Sequence, residues 1–160
     1  MKFATADLCD RSSEAQVAAP VFRDYGGVSA FYGPLAVLKV FEDNALIRTL
    51  LSEPGAGRVL VIDGGGSMRC ALVGGNLAQL AIDQDWRGIV VNGCVRDAAE
   101  LQTVAIGIKA LGTHPRRSEK GLHTGHRDRP VSFANVMFRS GQWLYADPDG
   151  IVVSDLPLHS

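Results

Sequence analysis

Apolar and polar residues change period several times along this chain, and each change marks an element. Pro34 to Phe41, PLAVLKVF, is alternating and β-branched, which predicts a strand. Asp43-Asn44 then supplies a helix start. Ala45-Leu46-Ile47 and Leu50-Leu51 fall three to four apart, and Glu53-Pro54-Gly55 ends the run. Arg58 to Asp63, RVLVID, is apolar on both faces, the pattern of a strand buried inside a sheet. Beyond the Gly64-Gly65-Gly66 turn the pattern predicts a strand over Arg69–Val73, a helix from Asn76 to Asp85 and a strand over Gly88–Asn92. A helix starting at Asp97 and a strand over Ile106–Leu111 follow. Strand and helix alternate, so the fold class is α/β with a mixed sheet.

The two ends carry weaker signals. Thr5 to Arg11 predicts a short helix capped by Thr5, with Leu8 and Cys9 as its apolar side, and Gly26-Gly27 reads as a turn. Thr113 to Pro130 is polar, basic and poor in apolar residues, which predicts a mobile loop. Val131–Arg139 and Gln142–Ala146 alternate as two strands around Ser140-Gly141, and Asp147-Pro148-Asp149-Gly150 turns the chain into Ile151-Val152-Val153. No repeat or linker divides the sequence, so residues 1–160 are expected to form a single domain.

Composition narrows the possible roles. The 18 glycines among 160 residues exceed the usual share of about 7%, so several backbone stretches turn tightly or approach something closely. Formal net charge is −1 with both signs interspersed, which leaves no electrostatic footprint for nucleic acid or an anionic membrane. The N-terminus, MKFATADLCD, lacks the features of a secretion signal, and no apolar run is long enough to span a bilayer. Cys9, Cys70 and Cys94 are odd in number and widely spaced, so they read as reduced thiols of a cytoplasmic protein.

Two stretches could carry chemistry. Gly74-Gly75-Asn76-Leu77 joins a strand to a helix. It is either a tight turn capped by Asn76 or a cradle of backbone N–H groups for a carboxylate or phosphate. Asp97-x-x-Glu100 has capping-box spacing, yet Arg96 beside it, at the end of a strand, is unexplained by capping. Other candidates fail. Gly64-Gly65-Gly66-Ser67 lacks the lysine of a phosphate loop, and His123 and His126 sit in cationic surroundings without a cysteine. Asp147 and Asp149 lack the later ligands of a calcium loop. Trp86 and Trp143 stand beside strand-like sequence as core or subunit contacts.

Gly75 and Arg96 are separated by twenty residues, and Arg96-Asp97 is followed after two alanines by Glu100. This arrangement resembles the Gly-x20-Arg-Asp-x2-Glu/Asp motif of the RraA-like family, which contains the class II 4-hydroxy-4-methyl-2-oxoglutarate aldolases and the regulator of ribonuclease E activity A. The likeness continues through FEDNALIRTLL, GRVLVIDGGGSMRCALVGGNLA, IVVNGCVRD and WLYADPDGIVVS, nearly the whole chain.

The resemblance implies a swivelling α/β/β-type domain with a mixed central sheet and flanking helices. It implies a homotrimer, with trimers able to pair into hexamers and the site near a subunit boundary. It further implies magnesium or manganese at Asp97, catalytic roles for Arg96 and Asp97, and a 2-oxo acid held by Arg96 and the backbone of Gly75, Asn76, Leu77 and Ala78. Glu100 matches the acidic end of the motif as a supporting residue. The implied reaction is retro-aldol cleavage of 4-hydroxy-4-methyl-2-oxoglutarate, or of 4-carboxy-4-hydroxy-2-oxoadipate, to pyruvate and a second oxo acid, with oxaloacetate decarboxylation as a side activity. Some aldolases of the family carry an acidic residue where this chain has Asn76. Lys2, Lys39, Lys109 and Lys120 all lie outside the motif, which disfavours Schiff-base chemistry. The alternative role is that of a non-catalytic protein that binds and inhibits ribonuclease E. Members known for that role can lack the Arg-Asp pair.

Overall fold

Val59 to Asp63 are buried throughout, as their two-faced apolar pattern demands, because strands of the sheet flank them on both sides. The computed structural model describes residues 2–119 and 121–159, so Met1, Lys120 and Ser160 lie outside the described residues. In chain order the elements are α1 (Thr5–Arg11), β1 (Gln16–Val17), β2 (Arg23–Asp24), β3 (Phe31–Lys39), α2 (Ala45–Leu51), β4 (Val59–Asp63), β5 (Ala71–Val73) and α3 (Gly75–Asp83). Then follow β6 (Gly88–Val95), α4 (Ala98–Leu101), β7 (Gly107–Thr113), β8 (His126–Arg127), β9 (Val131–Phe133), β10 (Val136–Phe138), β11 (Trp143–Asp147) and β12 (Gly150–Ser154).

The main sheet runs β1-β12-β11-β3-β4-β6-β7-β2. Its centre is parallel, with β3 beside β4, β4 beside β6 and β6 beside β7. The flanks, β1-β12-β11 and β2, are antiparallel. Side-chain alternation feeds two cores. Leu38, Leu60, Ile62 and Val91 point into one with Ile47, Leu51, Leu77 and Ala81 of α2 and α3. Val37, Val59, Val61 and Val90 point into the other with Phe138, Leu144, Ala146 and Ile151. The sheet therefore has helices on one face, while the antiparallel part and the β9–β10 hairpin cover the other, giving a mixed curled α/β fold.

Several sequence expectations shift. Thr5 does not cap α1; Ala4 holds the cap position, and the Thr5 hydroxyl instead donates to Asp147 Oδ1 at 2.6 Å while its N–H donates to Oδ2 at 2.8 Å. The expected strand over Val131–Arg139 is a hairpin, because Ala134 and Asn135 both adopt positive φ and reverse the chain. The polar segment after Thr113 is pinned at both ends: the Ala71 N–H donates to the Arg116 carbonyl at 2.7 Å, and β8 pairs with β3.

The lane that β4 vacates decides where the site falls. The last β4–β6 pair is Asp63 with Asn92, after which β5 takes over beside β6, pairing Ala71 with Cys94 and Val73 with Val95. The strand that feeds Gly74 and the strand that feeds Arg96 thus end side by side.

Candidate active site

Because β5 and β6 are parallel neighbours, their following turns meet at the carboxyl edge of the sheet, where open α/β sheets place their ligands. The Arg96 N–H donates to the Val73 carbonyl at 2.9 Å, and the Gly75 N–H donates to Asp97 Oδ2 at 2.8 Å. Twenty intervening residues are folded away as α3 and β6, and the two halves of the motif close into one site.

Gly74, with extended backbone, occupies the cap position of α3, and Asn76 lies inside the first turn and not at the cap. The Gly75 amide is committed to Asp97, and the Ala78 amide donates to the Gly74 carbonyl at 3.0 Å. The N–H groups of Asn76 and Leu77 fall in the part of the turn that has no intrahelical acceptor and lies at the positive end of the helix dipole.

Asp97 stands before α4 with φ 60° and ψ 41°, and its side chain makes no capping bond. The capping box expected with Glu100 is therefore not formed. In the left-handed conformation, which an aspartate tolerates better than most residues, the Asp97 carboxylate turns away from its own helix to the Gly75 amide. Glu100 reaches the same turn: a methyl group on Gly75 would collide with its carboxylate, and one on Gly74 would lie 2.7 Å from Asp97 Oδ2 and 3.2 Å from Arg96 Cγ. Both glycines are there to let these side chains close over the backbone. Asp97 and Glu100 are exposed, and Arg96 is half-buried.

A cleft of about 60 Å³ opens on this turn, lined by Asn44, Arg48, Gly74, Asn76, Arg96, Asp97 and Arg117 among others. Arg48 and Arg117 were not singled out from the sequence. Arg48 sits one helical turn beyond Asn44 on α2, the only local hint of a shared face; Arg117 arrives through the backbone bridge between its segment and Ala71. A larger concavity of about 620 Å³, lined by Phe31, Tyr32, Trp86 and Arg87, opens at the opposite end of the parallel strands and touches none of the motif residues.

Two other reactive groups, Cys94 and Lys109, lie outside the cleft. Burial pushes the Cys94 thiol up, and neighbouring Cys70 adds to the shift, so Cys94 is a poor thiolate nucleophile at neutral pH. Lys109 is buried, its ammonium donating to the Asp147 carbonyl at 2.8 Å and pairing with Asp24 at 3.1 Å. Among the described residues no group of three or more His, Cys, Asp or Glu side chains forms a metal cage, and no helix is long and apolar enough to cross a membrane.

A guanidinium and a carboxylate on adjacent residues stand over a glycine turn at the carboxyl edge of a mixed sheet in a single α/β domain. Residues 5–153 match the RraA-like family model, described as Aldolase/RraA. The chain belongs to the RraA-like family. It is 56% identical to a protein of Alkalilimnicola ehrlichii and 55% identical to one of Burkholderia mallei, each named "Putative 4-hydroxy-4-methyl-2-oxoglutarate aldolase"; the matches cover 96% and 97% of both chains respectively. Among solved structures, the RNA-processing inhibitor RraA from Thermus thermophilis superposes with a TM-score of 0.94 at 45% identity, covering 98% of this chain and 95% of that one. An S-adenosylmethionine:2-dimethylmenaquinone methyltransferase from Geobacillus kaustophilus superposes with a TM-score of 0.93 at 45% identity, covering 98% and 97%.

Proposed function

We propose that this protein is a divalent-metal-dependent lyase that cleaves 4-hydroxy-4-methyl-2-oxoglutarate, or 4-carboxy-4-hydroxy-2-oxoadipate, to pyruvate and a second oxo acid. The observation that carries the reading is the 2.8 Å bond from the Gly75 amide to Asp97, which fixes an exposed carboxylate beside Arg96. Only Oδ2 of Asp97 takes part in that bond, and Glu100 lies over the same turn. These two carboxylates form the all-oxygen set that suits magnesium or manganese completed by water and substrate. When bound at Asp97, the ion supplies Lewis-acid polarisation of the 2-oxo group.

The chain's own residues bind and orient. The N–H groups of Asn76 and Leu77 receive the carboxylate next to the ketone, and Arg96 meets it or the ketone oxygen with its planar fork. Breaking the C3–C4 bond places a negative charge on the pyruvate fragment that the ground-state ketone lacks. The Arg96 guanidinium therefore counts most along the reaction path. Among the described residues no His or Lys lines the cleft, so water accepts the proton of the C4 hydroxyl. Oxaloacetate, which loses carbon dioxide through the same enolate, is the expected side substrate. The homotrimer and the cytoplasmic location belong to this proposal as well. Arg96→Ala is expected to lose on the order of a hundredfold or more in pyruvate release, as is wild type after chelation. Metal-independent turnover would reject the metal's role.

The Thermus neighbour supports a second reading, a protein that inhibits ribonuclease E. It is tested by adding the purified protein to ribonuclease E: inhibition at micromolar concentration supports it, and unchanged cleavage rejects it. The cleft at Asp97 does not suit the sulfonium cofactor of a methyltransferase, since a small cleft lined by three arginines repels a bulky cation.

A further inference from the structure

Arg96 and two backbone amides are the proposed match for the carboxylate that borders the ketone, yet two further arginines, Arg48 and Arg117, line the cleft, against one lining carboxylate among the described residues, Asp97. Arg48 makes no ion pair among the described residues, and Arg117 has only a loose pair with Glu119 at 3.8 Å, both side chains 70% exposed. Like charges gathered in one small cleft repel each other, and a second anionic group relieves that repulsion. The two arginines also share a mounting. The Ala71 N–H donates to the Arg116 carbonyl at 2.7 Å, and Ser118 Oγ accepts from the Asn44 N–H at 3.1 Å at the head of α2, the helix that carries Arg48. A bidentate guanidinium suits a carboxylate better than a lysine does.

Resting on the aldolase reading, we infer that Arg48 and Arg117 bind the carboxylate at the far end of the substrate and make the site selective for dicarboxylic over monocarboxylic 2-oxo acids. They are specificity residues, with no part in moving electrons.

The probes are 2-oxoglutarate and 2-oxopentanoate, two five-carbon 2-oxo acids that differ in the far carboxylate. Each is titrated calorimetrically, with magnesium present, into wild type, Arg48→Ala, Arg117→Ala and the double variant. Wild type is expected to prefer 2-oxoglutarate by about tenfold or more, the scale of one charge-assisted contact. The preference should fall in each single variant, vanish in the double variant and return in part with Arg48→Lys. A preference that persists in the double variant, or is missing in wild type, overturns the inference. Exchange of the pyruvate methyl protons with solvent by wild type separates the two layers. Exchange without a dicarboxylate preference overturns this inference alone, whereas absence of exchange overturns the aldolase reading and the inference with it.

Discussion

Gly75 is the residue at which backbone and chemistry are hardest to separate. Its amide holds Asp97, and the space where a side chain would begin is filled by the Glu100 carboxylate. A methyl group there displaces only the end of a flexible side chain, so Gly75→Ala should cost little stability. If Glu100 supports the ion, the same variant should need at least about tenfold more manganese for half-maximal pyruvate release; an unchanged requirement would confine Glu100 to packing. The motif was legible because its parts are local in kind: a glycine, an arginine and a carboxylate at fixed spacing. Arg48 and Arg117 were not, since the pairing of Ala71 with the segment at Arg117 brings in one and α2, tied to β5 by the Asn44 side chain, brings in the other. Nor did the spacing of Asp97 and Glu100 reveal that a left-handed backbone at Asp97 would abandon the capping box for Gly75.

At the scale of elements, α1 is held by one buried carboxylate. Burial alone would raise the Asp147 carboxyl, but hydrogen bonds from the Thr5 hydroxyl and from the amides of Thr5, Asp149 and Gly150 outweigh it and hold the group below the usual carboxylate range. The sign follows by linkage: the stabilisation is full above the unfolded value near about 4 and fades as pH falls through the lower folded value. Thr5→Val should lose about 1–2 kcal/mol at pH 7 and show a flatter decline in urea midpoint below pH about 4. Equal declines would remove Asp147 as the cause. Phe31 plays a different part. A methyl group on Gly88 or on Gly107 would overlap the Phe31 ring, so one large side chain of β3 fills the room left by two glycines opening β6 and β7. Phe31→Ala should cost about 3–5 kcal/mol by cavity formation, measured by urea unfolding; a loss under about 1 kcal/mol would mean the strands close over the gap. The central strands were legible from their apolar runs. The β9–β10 hairpin was not, because VSFANVMF carries no glycine at Ala134 and Asn135, where φ is positive. β1 and β2, at two residues each, are too short for any period to register.

The molecule as a whole places the cleft at Asp97 and the larger concavity beside Trp86 at opposite ends of the parallel strands, and the smaller of the two carries the motif. The family shared with aldolase-named and RraA-named relatives does not choose between their roles; an assay of the chemistry proposed at Asp97 does. Proton exchange at the pyruvate methyl group isolates that chemistry, because forming the enolate requires neither the far half of the substrate nor a partner protein. Followed by proton magnetic resonance in deuterated buffer with magnesium, wild type should exchange the methyl protons. Asp97→Asn, which keeps an acceptor for the Gly75 amide but removes the charge, should be slower by on the order of a hundredfold or more. Exchange by Asp97→Asn at the wild-type rate would contradict the account.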